Sequence, residues 1–129
     1  MIYRVPWGYQ NCLLSKSLLL RREIGDYYKK CCEKGNNKFL NPGEGIDFNY
    51  AYFPVIINSS LKIAREMFKK YKVEAIQPFE RPLFEKMNMD ASLFPNAQSI
   101  ALKLLSMPIY PVLSRDEVES VGKLITSIR

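Results

Sequence analysis

The 129-residue sequence contains no histidine, which removes the usual general base, the usual zinc ligand and every Ser-His or Cys-His nucleophile arrangement. Lysines, cysteines and carboxylates remain as candidates for chemistry. The cysteines are Cys12, Cys31 and Cys32, an odd count whose vicinal pair lacks a metal-ligand spacing such as CxxC. They read as reduced structural thiols, and no metal is expected. Of the carboxylate pairs, Glu80 with Glu85 falls in a loop, while Asp116 with Glu117 opens a helix, where negative charge is stabilised by the positive helix end. Glycine-rich phosphate loops of the Walker or dinucleotide type are absent. A lysine acting as an amine at neutral pH must be desolvated or tuned by neighbours. Lys38, on the polar loop GNNKFLNPGEG, has neither setting.

The net charge of +6 and pI of about 9.3 come from dispersed cations that alternate with Glu or Asp on the polar faces of expected helices. That is the pattern of a solvated face, and nucleic-acid binding is not expected. No apolar run approaches the ~18 residues needed to cross a bilayer. Arg4 and Pro6 interrupt the apolar core that a signal peptide would need. The chain therefore reads as soluble, cytoplasmic and a single globular unit.

The elements that must position these groups begin with a helix over 12–34, ending before Gly35 in the stop position. After the polar loop to Gly45, residues 47–58 (DFNYAYFPVIIN) read as a strand, with Pro54 arguing for an edge or a bulge. Phe48, Tyr50, Tyr52 and Phe53 alternate as a strand would and suit core packing. Ser59 or Ser60 can cap a helix over 61–71, and a short strand over 73–77 follows. A proline-bracketed loop, PFERPLF, and irregular structure lead to a helix from Pro95 whose buried face is Ile100, Ala101, Leu104 and Leu105. In SMPIYPVLS, Pro108 and Pro111 are expected to delimit a short strand, and Ser114 with Glu117 forms a capping box for the last helix. The order predicts an α+β fold: a small sheet of about three strands with helices on one face, preceded by a long helix. A third strand can enter antiparallel, between or beside the first two, as in split β-α-β arrangements.

Phe94-Pro95-Asn96-Ala97 opening a helix, then SMPIYPVL, then Ser-Arg-Asp-Glu-Val, resembles the C-terminal end of the DegT/DnrJ/StrS-type sugar aminotransferases, whose pattern is FPNAE, a helix and LSLPIYPSLSDEEV. The loop QPFERPLF is similar to the family's HYPxPLH, with Pro82-Leu83 matching, Phe79 at an aromatic position and Phe84 where a histidine is frequent. Arg21-Arg22-Glu23-Ile24 with Tyr27-Tyr28 is similar to RREIAELY, the family's helix connecting its large and small domains. Gly8-Tyr9-Gln10-Asn11 is similar to GYNYRM, at a shorter spacing than the family's.

The resemblance implies the small domain of a fold-type I transferase, over 46–129, with an N-terminal segment and connecting helix over 1–35. It implies pyridoxal 5'-phosphate (PLP) in the intact enzyme, held by a large domain that supplies the Schiff-base lysine and is missing here. By itself this chain is expected to bind no cofactor and to contain no catalytic residue. Lys38, separated by four residues from Gly43-Glu44-Gly45, is similar in spacing to the family's lysine but follows the connecting helix instead of preceding it. Gln77, Phe79 and Arg81 are the side chains expected to face substrate. The partner is the missing large domain or a second copy in a homodimer; Trp7 and Tyr9 are read as packing on a missing partner domain or as ordinary surface residues. The alternative function is a stand-alone, non-catalytic protein-interaction or self-association module.

Overall fold

A computed structural model describes residues 7–41, 43, 45–46 and 48–128, with side chains in the first helix described from Leu13 onward. The expectations for Arg4, Pro6, Trp7, Tyr9, Cys12 and the GYQN segment concern side chains outside the described residues. Helix α1 spans Trp7–Lys34 and starts five residues earlier than its apolar stripe suggests. Strand β1 is Lys38–Phe39, within the loop expected to be irregular. Strand β2 is Phe53–Ile56, helix α2 Leu61–Lys70, helix α3 Leu83–Lys86, helix α4 Pro95–Lys103, strand β3 Leu104–Met107 and helix α5 Arg115–Ser127.

The sheet runs β1-β2-β3, antiparallel throughout. Residues 73–77 do not form a strand. They contribute one antiparallel bridge, in which Ile76 and Ser106 exchange hydrogen bonds of 3.0 and 2.7 Å. Because Ser106 also pairs with Pro54, β3 lies between β2 and Ile76, the split arrangement anticipated from the order of elements. Pro54 explains why β1 is so short. Leu40 N donates to Pro54 O at 3.2 Å, and proline has no N–H to return that bond, so the ladder stops there.

The segment around SMPIYPVLS is arranged differently from the sequence expectation. Leu104 and Leu105 continue the helical spacing of Ile100 and Ala101, yet they belong to β3, and Pro108 terminates that strand instead of opening one. Both leucines are buried, as a helix face would also have made them. The strand expected over 47–58 narrows to four residues because Tyr50 adopts φ +48°, which turns the chain. Ser60 stands at the start of α2 without a side-chain capping bond. By contrast, the capping box of α5 forms: Glu117 N donates to Ser114 Oγ (3.3 Å) while Ser114 N donates to Glu117 Oε2 (2.7 Å).

One core joins the elements. Tyr28, Cys31 and Cys32 of α1, Ala64 and Phe68 of α2, and Val121, Leu124 and Ile125 of α5 pack on the face of the sheet carrying Phe53, Val55, Leu105 and Met107. Three helices therefore share one face, as expected for this α+β class. Phe53 is fully buried, stacked on Phe39 (4.6 Å between centroids) and edge-on to Tyr28 (5.3 Å). Tyr28 Oη donates to Pro108 O at 3.1 Å, anchoring the chain just after β3.

Helices α1 and α5 run in the same direction, since Gly122 meets Tyr27 and Cys31 while Ile125 and Thr126 meet Gly35 further along. The approach excludes side chains. A Cβ at 122 would lie 2.5 Å from Tyr27 Cε1, and one at 35 would lie 3.1 Å from Ile125 O. Gly35 thus serves close packing, with no positive φ involved. Parallel helices place two negative ends together, and Lys34, in the last turn of α1, is the cation placed to offset them. Asn37, buried at this end, donates through Nδ2 to Ile125 O (2.8 Å) and Ile128 O (3.0 Å) and accepts from Asn58 N (3.0 Å). One amide therefore satisfies groups on α5 and at the end of β2 that burial would otherwise leave unpaired.

Candidate functional site

The segment 77–94 carries the sequence-derived candidates, and its shape follows from three local devices. Pro82 precedes α3 in extended conformation, as its ring favours. The buried Phe84 of α3 stacks on Phe94 at 5.7 Å with rings within 4° of parallel. Asp90 accepts from Ser92 N at 2.9 Å, starting a 3-10 turn at Ala91–Leu93, and that backbone donor holds its carboxyl below the usual carboxylate range. Phe84, at the position where histidine is frequent in the resembling family, is thereby a packing residue that ties α3 to the start of α4.

Gln77, Phe79 and Arg81 lie together at the entrance to this segment, with different freedoms. Gln77 is half-buried, and both ends of its amide are engaged. Its Oε1 accepts from Arg65 Nη1 (3.4 Å), and its Nε2 donates to Phe79 O (3.1 Å) and Ala101 O (3.4 Å). It braces the loop against α2 and α4. Phe79 is 57% exposed, and Arg81 is exposed beside Glu80. Arg65 and the Phe84–Phe94 pair are the participants sequence reasoning did not single out. Only the helical spacing of Ala64 and Phe68, which turns Arg65 outward, hinted at the first.

The reactive groups elsewhere are arranged for structure. Cys31 and Cys32 are free and buried, Cys31 against Gly122 of α5. Burial, with smaller repulsion from Cys31 and Glu33, pushes the Cys32 thiol up to about 12, so no thiolate is available at neutral pH. Burial likewise raises Tyr28, and Tyr27 to a lesser depth. Glu80 and Glu85 are exposed. Among the described residues no cluster of His, Cys, Asp or Glu could hold a metal ion, and no helix is long and apolar enough to cross a membrane.

A covalently bound PLP would need a desolvated lysine, and none of the described lysines is buried. Lys38 is exposed at the end of the sheet. Lys29 is half-buried, but its ammonium lies over the Phe39 and Tyr50 rings (5.2 and 5.3 Å) and 4.0 Å from Asp26, contacts that use its charge. Among the described residues there is therefore no lysine set up to hold PLP covalently. What the site offers is a braced loop presenting a guanidinium and an aromatic ring, which can bind and orient an anionic or planar group.

No family model matches the chain. In sequence it is 29% identical over 121 residues to the Escherichia coli dTDP-4-amino-4,6-dideoxy-D-glucose transaminase, covering 84% of this chain and 32% of that protein. In structure it superposes on a DegT DnrJ EryC1 StrS aminotransferase from Brucella abortus with a TM-score of 0.70 at 15% identity, over 84% of this chain and 30% of the other. The likeness is to the sugar aminotransferases of this type. Spr1654 of Streptococcus pneumoniae, assigned as a sugar aminotransferase and solved in its PLP form, gives 0.75 at 16% identity over 87% of this chain and 31% of that one. The chain thus spans about a third of the length of the aminotransferases it matches, and its α+β fold is the fold of that third.

Proposed function

We propose that the chain is the C-terminal small domain, with its connecting helix, of a PLP-dependent nucleotide-sugar aminotransferase. In this reading residues 1–35 are the N-terminal segment and connecting helix, and 46–129 are the small domain. The observation that carries it is the agreement of motif order with sequence and fold similarity: FPNA, SMPIYPVL and the capped last helix lie in a chain 29% identical to a dTDP-aminosugar transaminase. PLP belongs to the intact enzyme, and the Schiff-base lysine comes from that enzyme's large domain. The exposure of Lys38 supports the view that this chain alone is not catalytic. Phe79 and Arg81 then face substrate, and Gln77 holds them in place. The setting is cytoplasmic.

Titration of the purified chain with PLP, followed by absorbance, tests the reading. The expected result is the sum of the two separate spectra. A new band from PLP joined to a lysine, abolished by Lys38→Ala, overturns it.

A second reading, a non-catalytic self-association module, is favoured by one observation. Leu13, Leu14 and Leu19 of α1 and Phe79, Leu83, Met87 and Leu93 of the loop segment are each more than half exposed. A homodimer in light scattering supports it, and a monomer at all concentrations counts against it.

A further inference from the structure

We propose that the groove between α2 and residues 72–75 is a binding site for a phosphomonoester with an apolar body. The groove is open to solvent and offers about 740 Å³, room for a small molecule by the roughly 300–1,000 Å³ of such sites. Lys62, Arg65 and Lys69 reach it from α2, and Lys72 reaches it from the turn that follows.

Lys72 is the feature that asks for an explanation. Its φ is +57°, and it closes α2 through Lys72 N to Lys69 O (3.0 Å) and Val73 N to Phe68 O (2.9 Å). The left-handed position of such a helix-ending turn is ordinarily glycine, and a side chain there costs stability. This chain instead has a lysine, and its side chain lines the groove. Local preference overridden at a groove rim is the conflict expected where binding, and not folding, selects the residue.

The charges point the same way. Lys62, in the first turn of α2, opposes the positive helix end, and no acidic residue in that turn offsets it. Among the described residues none of the four cations forms an ion pair. Glu66 and Glu74 also line the groove, so four cations less two carboxylates leave +2. That matches the roughly −1.5 to −2 of a phosphomonoester at neutral pH. Leu61 and Val73 supply apolar lining for the body that carries the phosphate. None of these observations depends on the aminotransferase reading.

The test uses the full chain, with amide chemical shifts followed by NMR during titration with inorganic phosphate and with phenyl phosphate, chloride holding the ionic strength constant. Saturable shifts confined to 61–75 are expected, with phenyl phosphate bound roughly fivefold tighter because its ring covers apolar surface. Lys72→Gly should raise the melting temperature and weaken phenyl phosphate binding by roughly fivefold. Lys72→Met should weaken binding similarly without raising the melting temperature. Shifts reproduced by chloride alone, or undiminished affinity in Lys72→Gly, overturn the proposal. A polyglutamate peptide binding more tightly than phenyl phosphate also overturns it, in favour of an acidic protein segment.

Discussion

Between α1 and α5 the backbones approach until Gly122 has no room for a Cβ and Asn37 has all its polar atoms spoken for. Across 77–94 the same chain leaves Phe79, Leu83, Met87 and Leu93 in solvent and relies on short-range bonds such as Asp90 to Ser92. The first region holds its shape by contacts between residues distant in sequence. The second holds a loop in position by a few braces and keeps its large side chains free. A scaffold and a presented surface are therefore separable in this molecule, and substitutions should fall into two groups by their effect on stability.

The largest effect is expected from Phe53→Ala, which empties the fully buried ring position between Phe39 and Tyr28. It should lower unfolding free energy by about 3–5 kcal/mol, read from urea denaturation followed by circular dichroism. Asn37→Ala removes the amide that serves the Ile125 and Ile128 carbonyls and Asn58 N, and about 1–3 kcal/mol should be lost.

Ser114→Ala breaks the capping box and should cost about 1 kcal/mol. Its pH behaviour has a defined sign. The Ser114 backbone N–H and hydroxyl lower the Glu117 pKa below its ordinary 4.5. The cap's contribution is therefore full above that value and is lost as pH falls through the lowered one. Denaturation curves between neutral pH and pH 3 should narrow the gap between wild type and Glu117→Gln.

Phe79→Ser and Leu83→Ser should change stability by no more than about 0.5 kcal/mol. If either cost as much as Asn37→Ala, the distinction between scaffold and presented loop would collapse.

What could be read from the sequence was what short range decides. The Ser114–Glu117 box, the α2 stripe of Ala64 and Phe68 and the helix opening at Pro95 each depend on residues within a turn or two. So does the fold class, because it follows from the order of such elements. Strand limits were less legible because pairing is decided elsewhere in the chain. Val73 to Gln77 looks as strand-like as Phe53 to Ile56, yet only Ile76 finds a partner. Leu104 and Leu105 fit helix and strand patterns equally well, and only their register against Ile56 and Val55 decides. Among the candidate residues, the resemblance of QPFERPLF to the family's loop pointed to Gln77, Phe79 and Arg81. It could not reveal that Gln77 has both amide ends occupied, because Arg65 and Ala101 come from other elements.

The parallel course of α1 and α5 also sets a schedule for synthesis. Cys31 O accepts from Thr126 Oγ1, a residue 95 positions later, so α1 waits for a partner made long after it. At roughly 5–20 residues per second the apolar stripe of α1 waits several seconds outside the ribosome before α5 can cover it. Contacts this distant close slowly. Until α5 is made, the surface of α1 that meets Gly122 and Thr126 stays uncovered, and chaperone demand during translation is where that arrangement should be felt first.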